Sequence, residues 1–484
     1  MKKYLVLISL LALVTSCKKW LDIKPISEVS GDELFETEDG FKDAINGLYS
    51  LSIEEDLYGR ELMGGLPDVL AQNYSLPTNS DYRQAAMYNY KDQTLINKKD
   101  LAWKRLYEVI ANSNIILSKV DVKRSVLSGV NYGLVKGEAL AMRAWCHFDA
   151  LRLFAPSFAV DPNAKGVPYV TAFTKDAQTM QTVKGLLDSV IKDLTAAKEL
   201  LRTVDPILQP GYKVGYMIKD SSNESGGELF AQQRRHRLNY YAVCGELARV
   251  YLYKNDKANA LKEALEVINA NKFPWTRQED FMSGDDSKKD RILYKELIFG
   301  FYMPNRKDAL SYVFRQGGGN GLYISTTEGR NIYEVAGVGG EDFRFKQWFS
   351  EQSIPSGTYL QLEKYKRGDA NLHYLMGPAL RLSEIYYIAA ESAYEQDPQK
   401  AWGYFNEVRL HRGIAPYSGQ DDATSFYSEL LKEARKEMYG EGQIFYMYKR
   451  LNKAISGPGG KPIPASNGIF VLPLPDDEIA YGNR

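Results

Sequence analysis

The chain has 484 residues, with 61 acidic and 61 basic side chains and a formal net charge of zero. This length is enough for two or three domain-sized cores. The balanced charge argues against nucleic acid as a partner, because such partners favour a strongly basic domain. The four histidines lack paired ligand spacing and the three cysteines are too few for a disulfide scaffold, so neither a histidine metal site nor a cystine-rich fold is expected.

The N-terminus has the pattern of a secretory signal peptide. A short basic start precedes an apolar run over residues 4–14, which is too short to span a bilayer stably. Cys17 follows two small residues, as in the bacterial lipobox, where the Cys thiol is acylated and the peptide before it is removed. We therefore expect residues 1–16 to be a lipoprotein signal peptide and Cys17 to carry a membrane anchor. An ordinary signal peptide is the alternative.

Long helices are predicted in the N-terminal half, where apolar residues recur at three- and four-residue steps. They cover residues 102–119, 134–154 and 183–201, and Pro156 ends the second helix. The stretch 52–99 is rich in glycine and proline turns. We interpret it as a loop-rich insertion, and such loops carry a disproportionate share of binding residues.

Two helix pairs further along form an internal repeat. The pairs are 240–253 with 257–270 and 384–394 with 399–411. Matching positions are Leu247-Ala248, Tyr253, Asp256, Ala260 and Val267 in the first pair and Ile388-Ala389, Tyr394, Asp397, Ala401 and Val408 in the second. This pattern is typical of tetratricopeptide (TPR) units, in which small residues let two helices approach closely. Two ordinary helical hairpins are the alternative.

The stretch between the two helix pairs, about 272–378, is a second predicted insertion. It contains glycine-rich turns and strand-like fragments at 297–303 and 312–315. The helical scaffold then covers about 38–271 and 379–455. The predicted fold is mainly α, with TPR-like helical hairpins forming a superhelical platform that carries loop-rich insertions and a few short strands.

No motif for chemical catalysis is found. The sequence lacks a Gly-x-Ser-x-Gly elbow, a Walker A loop, a His-Glu-x-x-His helix and a dinucleotide fingerprint. Acid pairs such as Glu341-Asp342 are more typical of a solvated surface than of a hydrolase, so no enzyme activity and no cofactor are expected. Cys146 and Cys244 lie in helical patterns and are predicted to be buried free thiols; a disulfide between them is the alternative.

Several short motifs occur in a specific order along nearly the whole chain. They are Trp20-Leu21-Asp22, Gly47-Leu48-Tyr49, Gly137-Glu138-Ala139, the run 381–393, Glu433, Glu437 and Glu441-Gly442, and the run 472–479. In this order they resemble the SusD/RagB family of outer-membrane nutrient-binding lipoproteins. The sequence departs from the family pattern at Ala434, Ile444 and Met447, and Lys18-Lys19 stands where surface-exported lipoproteins often have acidic residues.

The resemblance implies a lipid-anchored outer-membrane protein exposed at the cell surface. Members of this family have four TPR-type units as a platform, with loops that carry the ligand site. They sit as a lid over a TonB-dependent (SusC-like) transporter and deliver a captured nutrient to it, most often a glycan. A TPR-type protein–protein interaction lipoprotein of the envelope and a peptide-capture protein are the alternatives.

Candidate ligand-binding residues come from the two insertions, where the resemblance places the site. A sugar site needs aromatic faces for the apolar side of the rings and planar polar groups for the hydroxyls. The first loop offers Asp68, Asn73, Tyr74, Asp81, Tyr82 and Arg83, and the long insertion offers Tyr302, Tyr323 and Trp348, with Trp275 and Tyr312 nearby in sequence.

Overall fold

The computed structural model describes residues 31–174, 176–305, 307–315, 321–354, 357–368, 371–419 and 421–482. The predicted signal peptide and Cys17 lie outside the described residues. Among the helices that the structure describes, none combines the length and the apolar character needed to cross a membrane.

Helices dominate the described chain. In order they are α1 (Gly31–Leu34), α2 (Glu38–Ser52), α3 (Leu66–Leu70), α4 (Arg83–Ala86), α5 (Gln93–Val120), α6 (Gly129–Phe154), α7 (Val183–Val204), α8 (Tyr240–Tyr253), α9 (Lys257–Asn269), α10 (Gln278–Phe281), α11 (Lys307–Val313), α12 (Thr326–Ile332), α13 (Phe343–Trp348), α14 (Leu382–Ala393), α15 (Pro398–Leu410), α16 (Ala423–Glu437), α17 (Ile444–Arg450), α18 (Asn467–Phe470) and α19 (Asp476–Tyr481). The predicted class, mainly α with TPR-like hairpins, is confirmed.

The helix starts are set by polar caps. α5 begins at Gln93 because the Asp92 side chain accepts hydrogen bonds from the next backbone amides, at 3.0 Å from Thr94 and 3.2 Å from Leu95. The helix therefore starts inside the stretch 52–99 that we predicted to be an insertion, and α3 and α4 also interrupt this stretch. The first insertion is shorter and more helical than its turn-rich sequence indicates.

The internal repeat consists of two hairpins that pack side by side. α8 and α9 form the first hairpin, α14 and α15 form the second, and α9 lies against α14. Each second helix starts at a capping aspartate: Asp256 accepts from the Asn259 amide at 3.2 Å and Asp397 from the Lys400 amide at 3.0 Å. Ala260 is fully buried in α9, which allows the close helix approach that the small residues predict.

Short strands carry the second insertion. They are β3 (Leu297–Tyr302), β4 (Ile324–Ser325), β5 (Phe349–Ile354), β6 (Gly357–Leu362) and β7 (Met376–Arg381), and the small hairpins β1/β2 (Lys165–Pro168, Met180–Thr182) and β8/β9 (Ile455–Ser456, Pro462–Ile463) lie outside it. β3 pairs antiparallel with β7, so the insertion leaves and rejoins the scaffold at one place. The prediction of a strand at 297–303 is confirmed. The prediction at 312–315 is wrong, because Tyr312 lies in α11.

A buried group of charges ties the insertion to the scaffold. Glu437 at the end of α16 accepts hydrogen bonds from Arg344 of α13 at 3.0 Å, from Arg412 after α15 at 2.7 Å, and from Arg381 of β7. Glu433 lies one turn earlier and accepts from Arg344 at 2.8 Å. We call these five residues the charge cluster. All are at most 2% exposed, so their mutual pairing replaces the water that such groups would otherwise need.

Cys146 and Cys244 are both buried and free. This confirms the prediction of two separate thiols and rules out the alternative of a disulfide between them. Burial raises the pKa of the Cys146 thiol well above its ordinary value, so the group behaves as a small apolar side chain of the helical core.

Candidate functional site

The structure separates the nine predicted ligand-binding residues into buried and accessible groups. Asp68, Asn73, Tyr74, Tyr82 and Trp348 are each at most 7% exposed. Asp81, Arg83 and Tyr302 are exposed and Tyr323 is half-buried. A side chain that presents no face to solvent cannot stack on a sugar, so we assign the buried five a structural role in this arrangement.

Asp68 fastens the first loop to the C-terminal part of the scaffold. Its carboxylate accepts from the backbone amides of Gly440 at 3.2 Å and Gly442 at 2.6 Å, and from the Asn73 side chain at 2.6 Å. Both glycines have positive φ, and a Cβ on Gly442 would lie 2.2 Å from the Leu62 carbonyl oxygen, so only glycine fits there. Burial raises the pKa of Asp68 to about 7, against the opposing effect of these hydrogen bonds.

The other buried residues of the first loop also have internal partners. The Asn73 side chain accepts from Arg435 at 3.0 Å. The Tyr74 hydroxyl donates to the Gly64 carbonyl and the Tyr82 hydroxyl donates to Glu61, both at 2.8 Å. These polar tips are satisfied inside the protein, which is how buried tyrosines usually remain stable.

Trp348 lies at the end of α13 and packs in the core of the second insertion. Its indole N–H donates to the Arg291 carbonyl at 2.7 Å. The ammonium of Lys364 lies 3.9 Å from the ring centroid, on a face of the indole, in cation–π geometry. Since the ring is fully buried, the interpretation of Trp348 as a ligand platform is corrected: it is a packing residue.

The two insertions contact each other at Ser75, in the middle of the stretch 52–99. The Ser75 amide donates to the Tyr323 carbonyl at 2.8 Å, and the Ser325 amide donates to the Ser75 hydroxyl at 3.0 Å. Arg83 folds back toward the same point, with its guanidinium 3.4 Å from the Leu76 carbonyl oxygen. Arg83 and Tyr323, which are far apart in sequence, are therefore brought to one region of the surface.

Tyrosines form the accessible part of this region. The rings of Tyr323 and Tyr359 lie 4.9 Å apart, and Tyr359 is only 8% exposed, so it supports Tyr323 from behind. The backbone bond from Leu322 to Val313, at 2.8 Å, brings the end of α11 alongside. Tyr312 lies in that helix and is 51% exposed. We call Asp81, Arg83, Tyr312 and Tyr323 the loop face.

Tyr302 lies in a different aromatic group, at the end of β3. Its ring stacks on His236 at 4.9 Å and meets the edge of Tyr374 at 5.6 Å. Burial, together with two neighbouring arginines, lowers the pKa of His236 to about 3, so this imidazole is neutral at pH 7. Tyr302 is 39% exposed and remains a candidate, but among the described residues its ring contacts are with His236 and Tyr374 and not with the loop face.

Two residues that support the loop face, Tyr359 and Ser75, were not predicted from the sequence. Tyr359 lies in β6, and the apolar and aromatic residues of the run 357–362 could have indicated a strand; alternation places Tyr359 on the face opposite Leu360 and Leu362, so it gives no signal for the burial of the ring. Ser75 carries no recognisable signal, because its role depends on a backbone carbonyl about 250 residues later in the chain.

The loop face has the groups for binding and no arrangement typical of catalysis. It combines accessible aromatic rings with a carboxylate and a guanidinium, which together suit a ligand that has apolar faces and many hydroxyls. Within the described ranges, no three His, Cys, Asp or Glu side chains are grouped so that they could hold a metal ion.

The fold and the loop face together define the class of this protein. It is a helical protein with a TPR-like scaffold and a loop surface that contains accessible tyrosines. Family models agree with this class. Residues 19–209 match a SusD-like model described as starch-binding and associating with the outer membrane, and residues 350–470 match the SusD family model. The two matches together cover more than half of the chain. The chain belongs to the SusD/RagB family, as its motifs predict.

Known relatives are similar at low sequence identity. Two SusD-like proteins of Formosa agariphila, P25 and P38, are 24% and 25% identical over 40% and 42% of this chain. These matches span only 36% and 37% of the relatives' own lengths.

Solved structures are similar over nearly the whole chain. A SusD superfamily protein of Bacteroides thetaiotaomicron has a TM-score of 0.71 and 23% identity, with 92% of this chain and 98% of that chain covered. A SusD-like carbohydrate binding protein of Bacteroides vulgatus has a TM-score of 0.72 and 16% identity, with 92% and 97% covered. These likenesses establish the fold. The family is one of carbohydrate-binding proteins associated with the outer membrane.

Proposed function

We propose that this protein is an outer-membrane lipoprotein that captures a glycan on its loop face and delivers it to a TonB-dependent transporter. The observation that carries the proposal is the junction at Ser75, which brings Arg83, Tyr312 and Tyr323 onto one accessible surface. The family description of starch-binding proteins associated with the outer membrane supports a glycan as the ligand. Capture and release need no catalytic group, and we propose that no turnover occurs.

The proposed contacts follow from the chemistry of the loop face. Tyrosine rings offer flat apolar surfaces to the C–H face of a sugar ring, and their hydroxyls stay in water at the same time. Arg83 and Asp81 can donate to and accept from the sugar hydroxyls. The binding is expected to be modest and reversible, because an open surface of this kind retains much of its hydration.

Calorimetric titration of residues 20–484 against a panel of polysaccharides tests the proposal, with product formation assayed in parallel. We expect saturable heat with one glycan class and no products. Tyr312→Ala combined with Tyr323→Ala should weaken binding roughly tenfold or more, as for central aromatic contacts at other interfaces. Tyr481→Ala is the matched control, since Tyr481 is also an exposed tyrosine (79%) but lies in α19.

Several outcomes would contradict this proposal. Released products would show that the protein is an enzyme. No binding to any glycan, together with binding to peptides, would favour the peptide-capture alternative. Equal affinities of the double variant and the Tyr481→Ala control would show that glycans bind elsewhere than the loop face.

The proposed lipid anchor is tested separately in cells. Cys17→Ala in the full chain should remove fatty-acid labelling and shift the protein out of the membrane fraction, because the acyl chains supply the membrane affinity. Cys146→Ala is the matched control, since its thiol is buried. Delivery is tested by affinity purification of the tagged full chain from native membranes, where a TonB-dependent transporter should co-purify with the wild type.

A further inference from the structure

A second opening lies beyond the loop face, between α12, α16 and the β8/β9 hairpin. It is a groove with a volume of about 490 Å³, and its lining includes Glu328, Asn331, Ser428, Lys432, Tyr448 and Ser456. α12 follows β4 directly, and β4 in turn follows Tyr323. The groove and the loop face are therefore connected along the chain through β4.

The groove is lined in part by a tyrosine whose side chain is largely buried and whose hydroxyl has no partner among the described residues. Tyr448 is 3% exposed and lines the groove, and no hydrogen bond to its hydroxyl occurs among the residues that the structure describes. Two other buried tyrosines differ, because their hydroxyls have partners: Tyr365 donates to the Gly440 carbonyl at 2.6 Å and Tyr74 donates to the Gly64 carbonyl at 2.8 Å. The Tyr448 hydroxyl is not one of the buried side-chain atoms that lack a partner, so it is accessible from the groove and can donate to a ligand or to water there.

The rim of the groove is held in place by contacts within the protein. The Gly459 amide donates to the Glu328 carboxylate at 2.9 Å, which fixes the turn between β8 and β9 against α12. Arg435 donates to the carbonyls of Ser456 at 3.1 Å and Gln72 at 2.8 Å. The groove is thus formed before any ligand arrives, which lowers the conformational entropy that binding must overcome.

The chemistry of the lining favours a neutral, hydroxyl-rich ligand. Lys432 is paired with Glu429 at 2.7 Å, and Glu334 is paired with Lys436 at 2.6 Å, so neither sign of charge is in excess. Asn331 and Ser428 are exposed at the rim and offer an amide and a hydroxyl. The volume falls in the range of roughly 300–1,000 Å³ that small-molecule sites occupy.

We infer that this groove is a second glycan site, which takes a short oligosaccharide and hydrogen-bonds it through the Tyr448 hydroxyl. The inference takes the class of ligand, a glycan, from the proposed function. The position of the second site does not depend on the proposed function. Two sites connected through β4 would let one polysaccharide chain be held at two points, which raises its affinity without a stronger single contact.

The test uses the Tyr312→Ala/Tyr323→Ala variant of residues 20–484, in which the loop face is disabled. It is titrated calorimetrically with a panel of short oligosaccharides that begins with maltoheptaose. We expect residual binding in this background. Ser428→Trp, which fills the groove from the exposed side of α16, should abolish the residual binding, and Ser428→Ala should leave it in place. Tyr448→Phe should weaken it roughly three- to tenfold, the effect of one hydrogen bond.

Tyr387→Phe is the matched control for Tyr448→Phe. Tyr387 is also 3% exposed and its buried hydroxyl has no partner, but it lies in α14 away from the groove. Absence of residual binding in the double variant, or residual binding that Ser428→Trp does not change, would overturn the second site and leave the loop face intact. If the wild type binds none of the sugars, this site and the proposed function both fail.

Discussion

The charge cluster and the loop face use similar residue types in opposite environments. In the charge cluster, the carboxylate of Glu437 accepts from Arg344, Arg381 and Arg412, and all four residues are at most 2% exposed. On the loop face, Tyr312 is 51% exposed. Polar groups that satisfy one another inside the protein fix the fold, whereas a side chain that is half exposed still presents surface that can exchange water for a ligand.

Removing a carboxylate from the charge cluster should have the largest effect on stability. Glu437→Ala leaves buried arginines without their partner, so we expect a loss of about 3–5 kcal/mol in the free energy of unfolding, measured by urea denaturation. Glu395→Ala is the control, because Glu395 forms an exposed ion pair with Lys257 and should contribute less than about 1 kcal/mol. Similar effects of the two substitutions would contradict the comparison.

The charge cluster should also make stability depend on acid. Burial alone would raise the pKa of Glu433, but Arg344, Lys436 and Arg409 outweigh it and lower this pKa from 4.5 to about 2. The stabilisation is therefore present above pH 4.5 and is lost as the pH falls toward 2. One pKa unit corresponds to about 1.4 kcal/mol, so this group can contribute up to about 3 kcal/mol.

This prediction is checked by measuring the free energy of unfolding at several pH values between 5 and 2, a range that includes both pKa values of Glu433. Stability should fall across the range in the wild type and fall less steeply in Glu433→Gln, which cannot be protonated. Parallel curves for the two proteins would assign the acid sensitivity to other groups.

Substitutions of two aromatic residues in the second insertion should have smaller effects on stability, and the two effects should differ. Trp348→Phe loses the hydrogen bond to the Arg291 carbonyl, which leaves a buried acceptor without a partner and lowers stability by about 1–3 kcal/mol. Tyr312→Ala should change stability by less than about 0.5 kcal/mol, as is usual for exposed positions, while it weakens glycan binding. Calorimetric titration measures the glycan affinity of both variants and thermal unfolding measures their stability. A stable Trp348→Phe variant that no longer binds glycan would contradict the packing role of Trp348.

The scaffold was predictable from the sequence because its signals are local. Apolar spacing indicated the long helices, and Asp256 and Asp397, in matching positions, indicated where each second helix of the repeat begins. The start of α5 was missed because Asp92, its cap, lies in a turn-rich stretch whose glycines and prolines dominated the interpretation.

The site was less predictable because its residues are defined by distant partners. Asp68 and Trp348 are of the same types as ligand-binding residues and lie in the expected stretches. Inside the protein, Asp68 is bound by the amides of Gly440 and Gly442, and Trp348 contacts Lys364 and the Arg291 carbonyl. Neither contact has a signature in a single sequence, so the family resemblance indicated the two insertions but did not show which of their residues are buried and which are accessible.

The anchoring of Asp68 by Gly440 and Gly442 has a consequence for the order of events during biosynthesis. The chain is made from its N-terminus, and the first loop must wait for a partner that lies more than 370 residues later. Contacts of such long range form late, after much of the chain has been ordered. A newly made molecule should therefore order its first loop, and with it the proposed ligand-binding surface, only after the segment with Gly440 and Gly442 has been made, so products truncated before that segment should not bind the ligand.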